Sequence, residues 1–361
     1  MSLPPPYFGA PGAQIFETLP VFFMKAAFLK NPLEIDFQEI EIPEPGFGEV
    51  RVKLQKVGIC GSDVHLFLGH RLLEKPTIIG HEGIGIIDKI GAGVENRKMG
   101  ERVAVEPNIP CQKCKFCQQG RGNICVNKRV KGLNESGCFA EYVVLPEAFA
   151  WKIPNEISDE DAVVLEPTAV AVHALFNSNT KPGDTIAIIG LGAIGLLINH
   201  LALALGYKVL VCEPQQEKLN LAIKEGAIGI KPDGNADNQV AQLSETWEKH
   251  EVAAVFECAG VSKTASLATA AAPRGSEIIL VGLSGGLSTF TPLKIAREGI
   301  HIVPSIIYDH PADFRRAIQL IKSGIISPGK IISRTLTFDD LQSALELATK
   351  GDESKIIIEF N

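Results

Sequence analysis

From Met24 to about Ala150 the apolar positions recur at short, strand-like spacing, broken by glycines and prolines. Glu49-Val50-Arg51-Val52-Lys53-Leu54 alternates polar and apolar residues. Gly85-Ile86-Ile87-Asp88-Lys89-Ile90 and Arg102-Val103-Ala104-Val105 are similarly β-branched. A period of two puts apolar side chains on one face, so this region is expected to be a compact, largely antiparallel β unit. Past Lys181-Pro182-Gly183-Asp184 the pattern changes. Thr185–Ile189, Lys208–Cys212, Val252–Phe256, Glu277–Val281 and His301–Val303 read as strands, with helices over Glu217–Glu225 and Lys263–Ala272. Strands apolar throughout are buried on both faces, which predicts an α/β, doubly wound parallel sheet. Asp313–Ser323 puts Phe314, Ala317, Ile318 and Ile321 on one helical face, and Lys355–Phe360 is a strand that can return to the first sheet.

One apolar stretch runs from Ile186 to Gly206, close to the roughly 20 residues of a membrane span. Gly190, Gly192 and Gly195 interrupt it, and Asn199-His200 lie in its second half, so a buried strand, tight turn and buried helix are expected instead. The 361 residues suffice for two domains, and 45% hydrophobic with 21% charged residues describes an ordinary globular chain. A net charge of -7 argues against a general binder of nucleic acid or anionic membrane. Residues 1–23 hold a Pro4-Pro5-Pro6 run and lack the basic start and apolar core of a secretory signal; they read as an N-terminal extension. Of 8 cysteines, Cys111, Cys114, Cys117 and Cys125 cluster, which suits metal binding in a reducing, cytoplasmic compartment.

Within Val57-Gly58-Ile59-Cys60-Gly61-Ser62-Asp63-Val64-His65, a thiol, a hydroxyl, a carboxylate and an imidazole follow the end of a strand. Cys60 there can bind a metal while Ser62 and His65 pass a proton outward. Gly80-His81-Glu82-Gly83 supplies further ligands, and Glu166 in Leu165-Glu166-Pro167 is another candidate. Three protein ligands with an open position suit catalytic zinc, whereas four thiols at Cys111, Cys114, Cys117 and Cys125 close a structural site. Gly190-Leu191-Gly192-Ala193-Ile194-Gly195 follows a buried strand and opens a helix, as a dinucleotide pyrophosphate requires. Glu213 ends the next strand about 20 residues on, where an acidic partner for ribose hydroxyls belongs; it disfavours a 2′-phosphate and so favours NAD over NADP. Lys218 is a further candidate ribose contact. Lys113, Lys115, Arg121, Lys128, Arg129 and Lys131 form a basic stretch, read as the solvated surface of a zinc lobe rather than a nucleic-acid patch. The other histidines, with Cys138, Cys212 and Cys258, are read as packing or surface positions.

Taken together, these motifs resemble the zinc-dependent medium-chain alcohol dehydrogenases, in the sorbitol, butanediol and threonine dehydrogenase branch, from Met24 to the C-terminus. Gly80-His81-Glu82 with Gly85, Gly91 and Val94 matches that family's zinc signature spacing, and Gly58–His65 and Leu165-Glu166-Pro167 look like its polyol branch. The resemblance implies a GroES-like catalytic domain (24–173 and 313–361, with a structural-zinc lobe at 108–131) and a Rossmann NAD-binding domain at 174–312. It implies two zinc ions per chain, NAD, a homotetramer or dimer, and a secondary alcohol, vicinal diol or polyol as substrate. Cys60, His81, Glu82 and Glu166 would hold the catalytic zinc, with Asp63 supporting a ligand. Zinc would acidify the bound alcohol, whose proton leaves by way of Ser62 and His65. Sorbitol dehydrogenases have an Arg-Tyr pair where Ile307-Tyr308 stands here, which weakens the long-polyol expectation and removes a carboxylate anchor. The alternatives are an L-threonine 3-dehydrogenase-like enzyme and a non-catalytic NAD- or nucleic-acid-binding zinc protein.

Overall fold

The computed structural model describes Met1 and residues 21–360. The expected extension at 1–23 lies almost wholly outside the described residues; the first strand begins at its last position, Phe23.

The β unit is organised around the strand Glu49–Gly58. It pairs antiparallel with Glu82–Ile90, with Tyr142–Pro146 and with the C-terminal strand Ile356–Glu359. Ile357 lies opposite Gly58, so the tail does return to this sheet as its apolar run predicts. A second sheet of Phe23–Asn31, Glu34–Glu41 and Thr77–Ile78 covers the unit. The ribbon of Asn108–Ile109 and Arg129–Val130 frames the cysteine lobe.

The other part is a parallel sheet in the order Ile228–Ile230, Lys208–Cys212, Thr185–Ile189, Val252–Glu257, Glu277–Leu280, His301–Pro304. Its alternation is physical. Ile186, Ile188, Val209, Val211 and Phe256 pack into one core on one face, while Ala187, Ile189, Leu210 and Val255 pack into another on the opposite face. Both faces are therefore covered by helices, which is why these strands carry apolar residues at nearly every position. The apolar stretch at 186–206 resolves into strand Thr185–Ile189 and helix Ala193–Ala204. No described helix is long and apolar enough to cross a membrane.

Several elements escaped the hydrophobic pattern, among them the short strand Ile228–Ile230, with a glycine at its centre, the helices Pro292–Glu298 and Leu341–Thr349, the strand Arg334–Thr337, and the helix Ala236–Lys249. This last helix buries only Leu243 and Trp247, so its apolar signal is thin.

Candidate active site

Three neighbouring strand ends converge. Gly58, the last residue of its strand, pairs with Glu82, the first residue of the next. Cys60 lies two residues beyond one and His81 immediately before the other, so the register alone brings them together. Candidate ligand atoms of Cys60, His81 and Glu82 all lie within 4.8 Å of one another. A Cβ at Gly58 would stand 2.1 Å from Glu82 Oε2, so only glycine leaves this carboxylate room.

Asp63 organises the cluster. It is fully buried, accepts from the Cys60 N–H (3.0 Å) and the Gly80 N–H (3.2 Å), and lies 3.3 Å from His81 Nδ1. That leaves Nε2 as the ligand nitrogen of His81, with the Ser62 hydroxyl 3.5 Å from it. Burial alone would depress the His81 imidazole, but Asp63 and Cys60 outweigh it and hold it well above its ordinary value. A pocket that favours positive charge at this point fits a cation.

Glu166 opens the helix Leu165–Phe176 and is buried, but it is outside the 4.8 Å cluster. Burial, reinforced by nearby Glu82, raises its carboxyl to about 7, while His81, Lys355 and the Tyr308 hydroxyl pull the other way. Tyr308 is itself buried and accepts from Asn108 Nδ2 at 2.8 Å. Next to it Ile307 adopts φ 55, a left-handed conformation that strains a β-branched residue.

The thiols of Cys111, Cys114, Cys117 and Cys125 also lie within 4.8 Å of one another. The backbone N–H of Cys117 lowers Cys114 to about 6, which favours a thiolate there. None of the 8 cysteines forms a disulfide. Of the basic residues around this lobe, Arg129 and Lys131 both pair with Glu135, at 3.0 and 2.9 Å.

In the parallel sheet, Gly190 has φ 89 and a Cβ there would meet Ala259 at 2.8 Å. A Cβ on Gly195 would meet Gly190 O at 2.0 Å, so the helix packs against the turn only because both are glycines. Gly192 caps the helix Ala193–Ala204 without a side-chain bond, so its first N–H groups stay open for a phosphate.

The alcohol dehydrogenase GroES-like domain model matches residues 46–155, and the zinc-binding dehydrogenase model matches residues 193–323. The sorbitol dehydrogenase of Bacillus subtilis is 32% identical over 334 residues, 90% of this chain and 93% of that protein. The chain belongs to the zinc-dependent medium-chain alcohol dehydrogenase family. Two solved structures share the fold. A short chain alcohol dehydrogenase (rspB) from E. coli CFT073, complexed with NADH, superposes with TM-score 0.86 at 32% identity, covering 94% of this chain and 99% of that one. The 2R,3R-butanediol dehydrogenase from Bacillus subtilis gives TM-score 0.84 at 32% identity, covering 94% and 100%.

In this dehydrogenase the sequence-predicted cofactor residues have local partners. Glu213 Oε2 accepts from the Leu191 N–H (2.8 Å) and Oε1 from the Gln215 N–H (2.9 Å), which ties the carboxylate to the glycine turn. Lys218 is turned to the Gly351 carbonyl of the C-terminal segment. Ser62 and His65 share the helix Gly61–Phe67 beside Cys60.

Sequence reasoning missed three groups. Lys355 donates to both oxygens of Glu82 and to the Ile59 carbonyl; its only local signal was a lysine ahead of an apolar run. Glu106, fully buried, accepts from Trp151 Nε1 (2.6 Å) and pairs with His310 Nδ1 (2.7 Å). His70 sits on His65, although nothing in its immediate sequence marks it.

Proposed function

We propose that this dehydrogenase uses NAD to oxidise a secondary alcohol, vicinal diol or polyol to a ketone, and the reverse. The observation that carries the reading is the sulfur, nitrogen and oxygen cluster of Cys60, His81 and Glu82 within 4.8 Å. Such a donor set fits zinc with an open coordination position. The second zinc would be held by Cys111, Cys114, Cys117 and Cys125. When bound, zinc supplies Lewis acidity to the alcohol and NAD supplies the hydride acceptor.

The chain's own residues do the rest. Asp63 fixes the His81 tautomer and the Cys60 backbone. The Ser62 hydroxyl takes a proton and His65, one turn along the helix, is the base that carries it away. Glu166 is the alternative oxygen ligand, since Lys355 already occupies both oxygens of Glu82. Tyr308, whose hydroxyl accepts from Asn108 Nδ2, would face the substrate. Ile307 offers no cation for a carboxylate, which favours a neutral diol over L-threonine. Glu213 supports NAD over NADP, because its charge would repel a 2′-phosphate.

The same reading keeps the division at 24–173 with 313–361 and 174–312, supported by which sheet each segment joins. It includes a homo-oligomer, supported by exposed Leu287, Phe290 and Leu293 in the segment of chain that leads to the edge strand His301–Pro304. A cytoplasmic setting is supported by the free thiols. Initial rates with 2,3-butanediol, sorbitol and L-threonine, on NAD and NADP and with or without a chelator, test the proposal. A clear preference for L-threonine overturns the substrate class, and chelator-resistant activity overturns the metal.

A further inference from the structure

The turn after helix Gly61–Phe67 folds a second imidazole onto His65. Gly69 N–H donates to Leu66 O, and the His70 N–H donates to His65 O, each at 3.0 Å. Gly69 has φ +72, and a Cβ there would stand 2.8 Å from Pro32 Cγ, so this tight reversal needs glycine. It brings His70 Nδ1 to 3.2 Å from His65 Nδ1, with the ring centroids 5.4 Å apart. Two ring nitrogens at that distance hold one proton between them, one donating and the other accepting. Both histidines are exposed, so the pair ends at solvent.

We propose that His70 is the second member of a two-imidazole relay, taking from His65 the proton released when the alcohol is oxidised. The inference rests on the dehydrogenase reading above. In the resting pair His65 donates from Nδ1 to the lone pair of His70 Nδ1, which leaves His65 Nε2 free to act as a base. A proton arriving at His65 Nε2 forms an N–H bond there. The His65 Nδ1–H bond then breaks as His70 Nδ1 takes that proton, and the positive charge moves onto His70. His70 gives up its Nε2 proton to water, and exchange with solvent restores the starting tautomers. His70 acts through His65 and is a positioning residue in that sense. Arg71 follows it, with its N–H 3.4 Å from His65 O. The helix Leu341–Thr349 packs against Gly61–Phe67, and its one charged side chain, Glu346, is bonded to Gln342.

The test compares the wild-type holoenzyme with His70→Ala and His70→Asn. Single-turnover NADH formation and proton release, read with a pH indicator, are followed from about pH 6 to 10, alongside 15N-histidine spectra without substrate. His65 should show the Nδ1–H tautomer in the wild type and lose it in His70→Ala. His70→Asn, whose amide oxygen accepts but cannot take a proton, should keep that tautomer. Both variants should slow proton release about 3- to 10-fold near pH 7, recover with added imidazole, and converge on the wild type at high pH. Superimposable pH profiles overturn the proposal. So does a uniform loss at every pH that imidazole does not rescue, and so does full activity in His70→Asn. A wild type that oxidises no alcohol sinks the dehydrogenase reading instead, and the tautomer signature then still decides the resting pair.

Discussion

Lys355 Nζ lies 2.8 and 2.7 Å from the two carboxylate oxygens of Glu82, and the two residues are only 3% and 1% exposed. The pair is placed by the sheet: Lys355 precedes the strand Ile356–Glu359, and Gly58 is paired with both Ile357 and Glu82. A buried charge without its partner costs far more than the intact pair contributes. Lys355→Met should therefore destabilise the protein by about 3–5 kcal/mol, and Lys355→Met with Glu82→Gln should recover most of that loss. Urea unfolding of both variants checks it; additive losses would mean that the two groups do not depend on each other.

The two proposed zinc-binding clusters are separate, and so are the effects expected of each. Cys60→Ser should lower bound zinc from about two ions per chain to about one, and abolish NADH production with little change in fold. Cys114→Ser should also lose about one ion, but with a lower unfolding temperature and disordering of the 108–131 lobe. Metal analysis with thermal unfolding separates these outcomes. A Cys60→Ser protein that keeps both its zinc and its activity would remove the centre of the proposed mechanism.

On the proposed reading, cofactor choice is tied to one carboxylate with two structural bonds. Glu213 accepts from the Leu191 and Gln215 N–H groups, and on the proposed reading its charge would meet a 2′-phosphate on the adenosine ribose. Glu213→Gln keeps one of the two oxygen acceptors and removes the charge. It should raise kcat/KM with NADP about 10-fold relative to NAD, roughly 1.4 kcal/mol of discrimination. Steady-state rates on both nucleotides measure this, and an unchanged ratio would mean that selectivity resides elsewhere.

What could be read from the chain was what local pattern encodes. Period-two alternation marks Glu49–Gly58, and uniformly apolar runs mark the parallel strands. Glycine spacing marks the turn at Gly190, and cysteine spacing marks the lobe at Cys111. Cys60 and His81 were legible because each stands beside glycines at a strand end. Lys355 was not, because its partner is 273 residues away and only the sheet register brings them together. Glu106 and His310, 204 residues apart, were hidden for the same reason. His70 lies only five residues from His65, yet its contact with His65 depends on the left-handed Gly69, which sequence shows merely as another glycine.

Glu166 gives a pH dependence whose sign follows from its surroundings. Its carboxyl, raised to about 7 chiefly by burial, stays protonated in the zinc-free fold at pH values where an unfolded chain has already ionised. As pH rises from about 4.5 through about 7, the unfolded state gains charge first, so the group's contribution to stability falls over that window and levels off above it. Zinc-stripped Glu166→Gln cannot ionise there. It should match the zinc-stripped wild type near pH 4.5 and exceed it by about 1–3 kcal/mol at pH 8. Added zinc should narrow the gap by favouring the ionised carboxylate of the wild type. Urea midpoints of the stripped proteins at the two pH values decide the matter: a gap that is the same at both would show that Glu166 does not titrate between them.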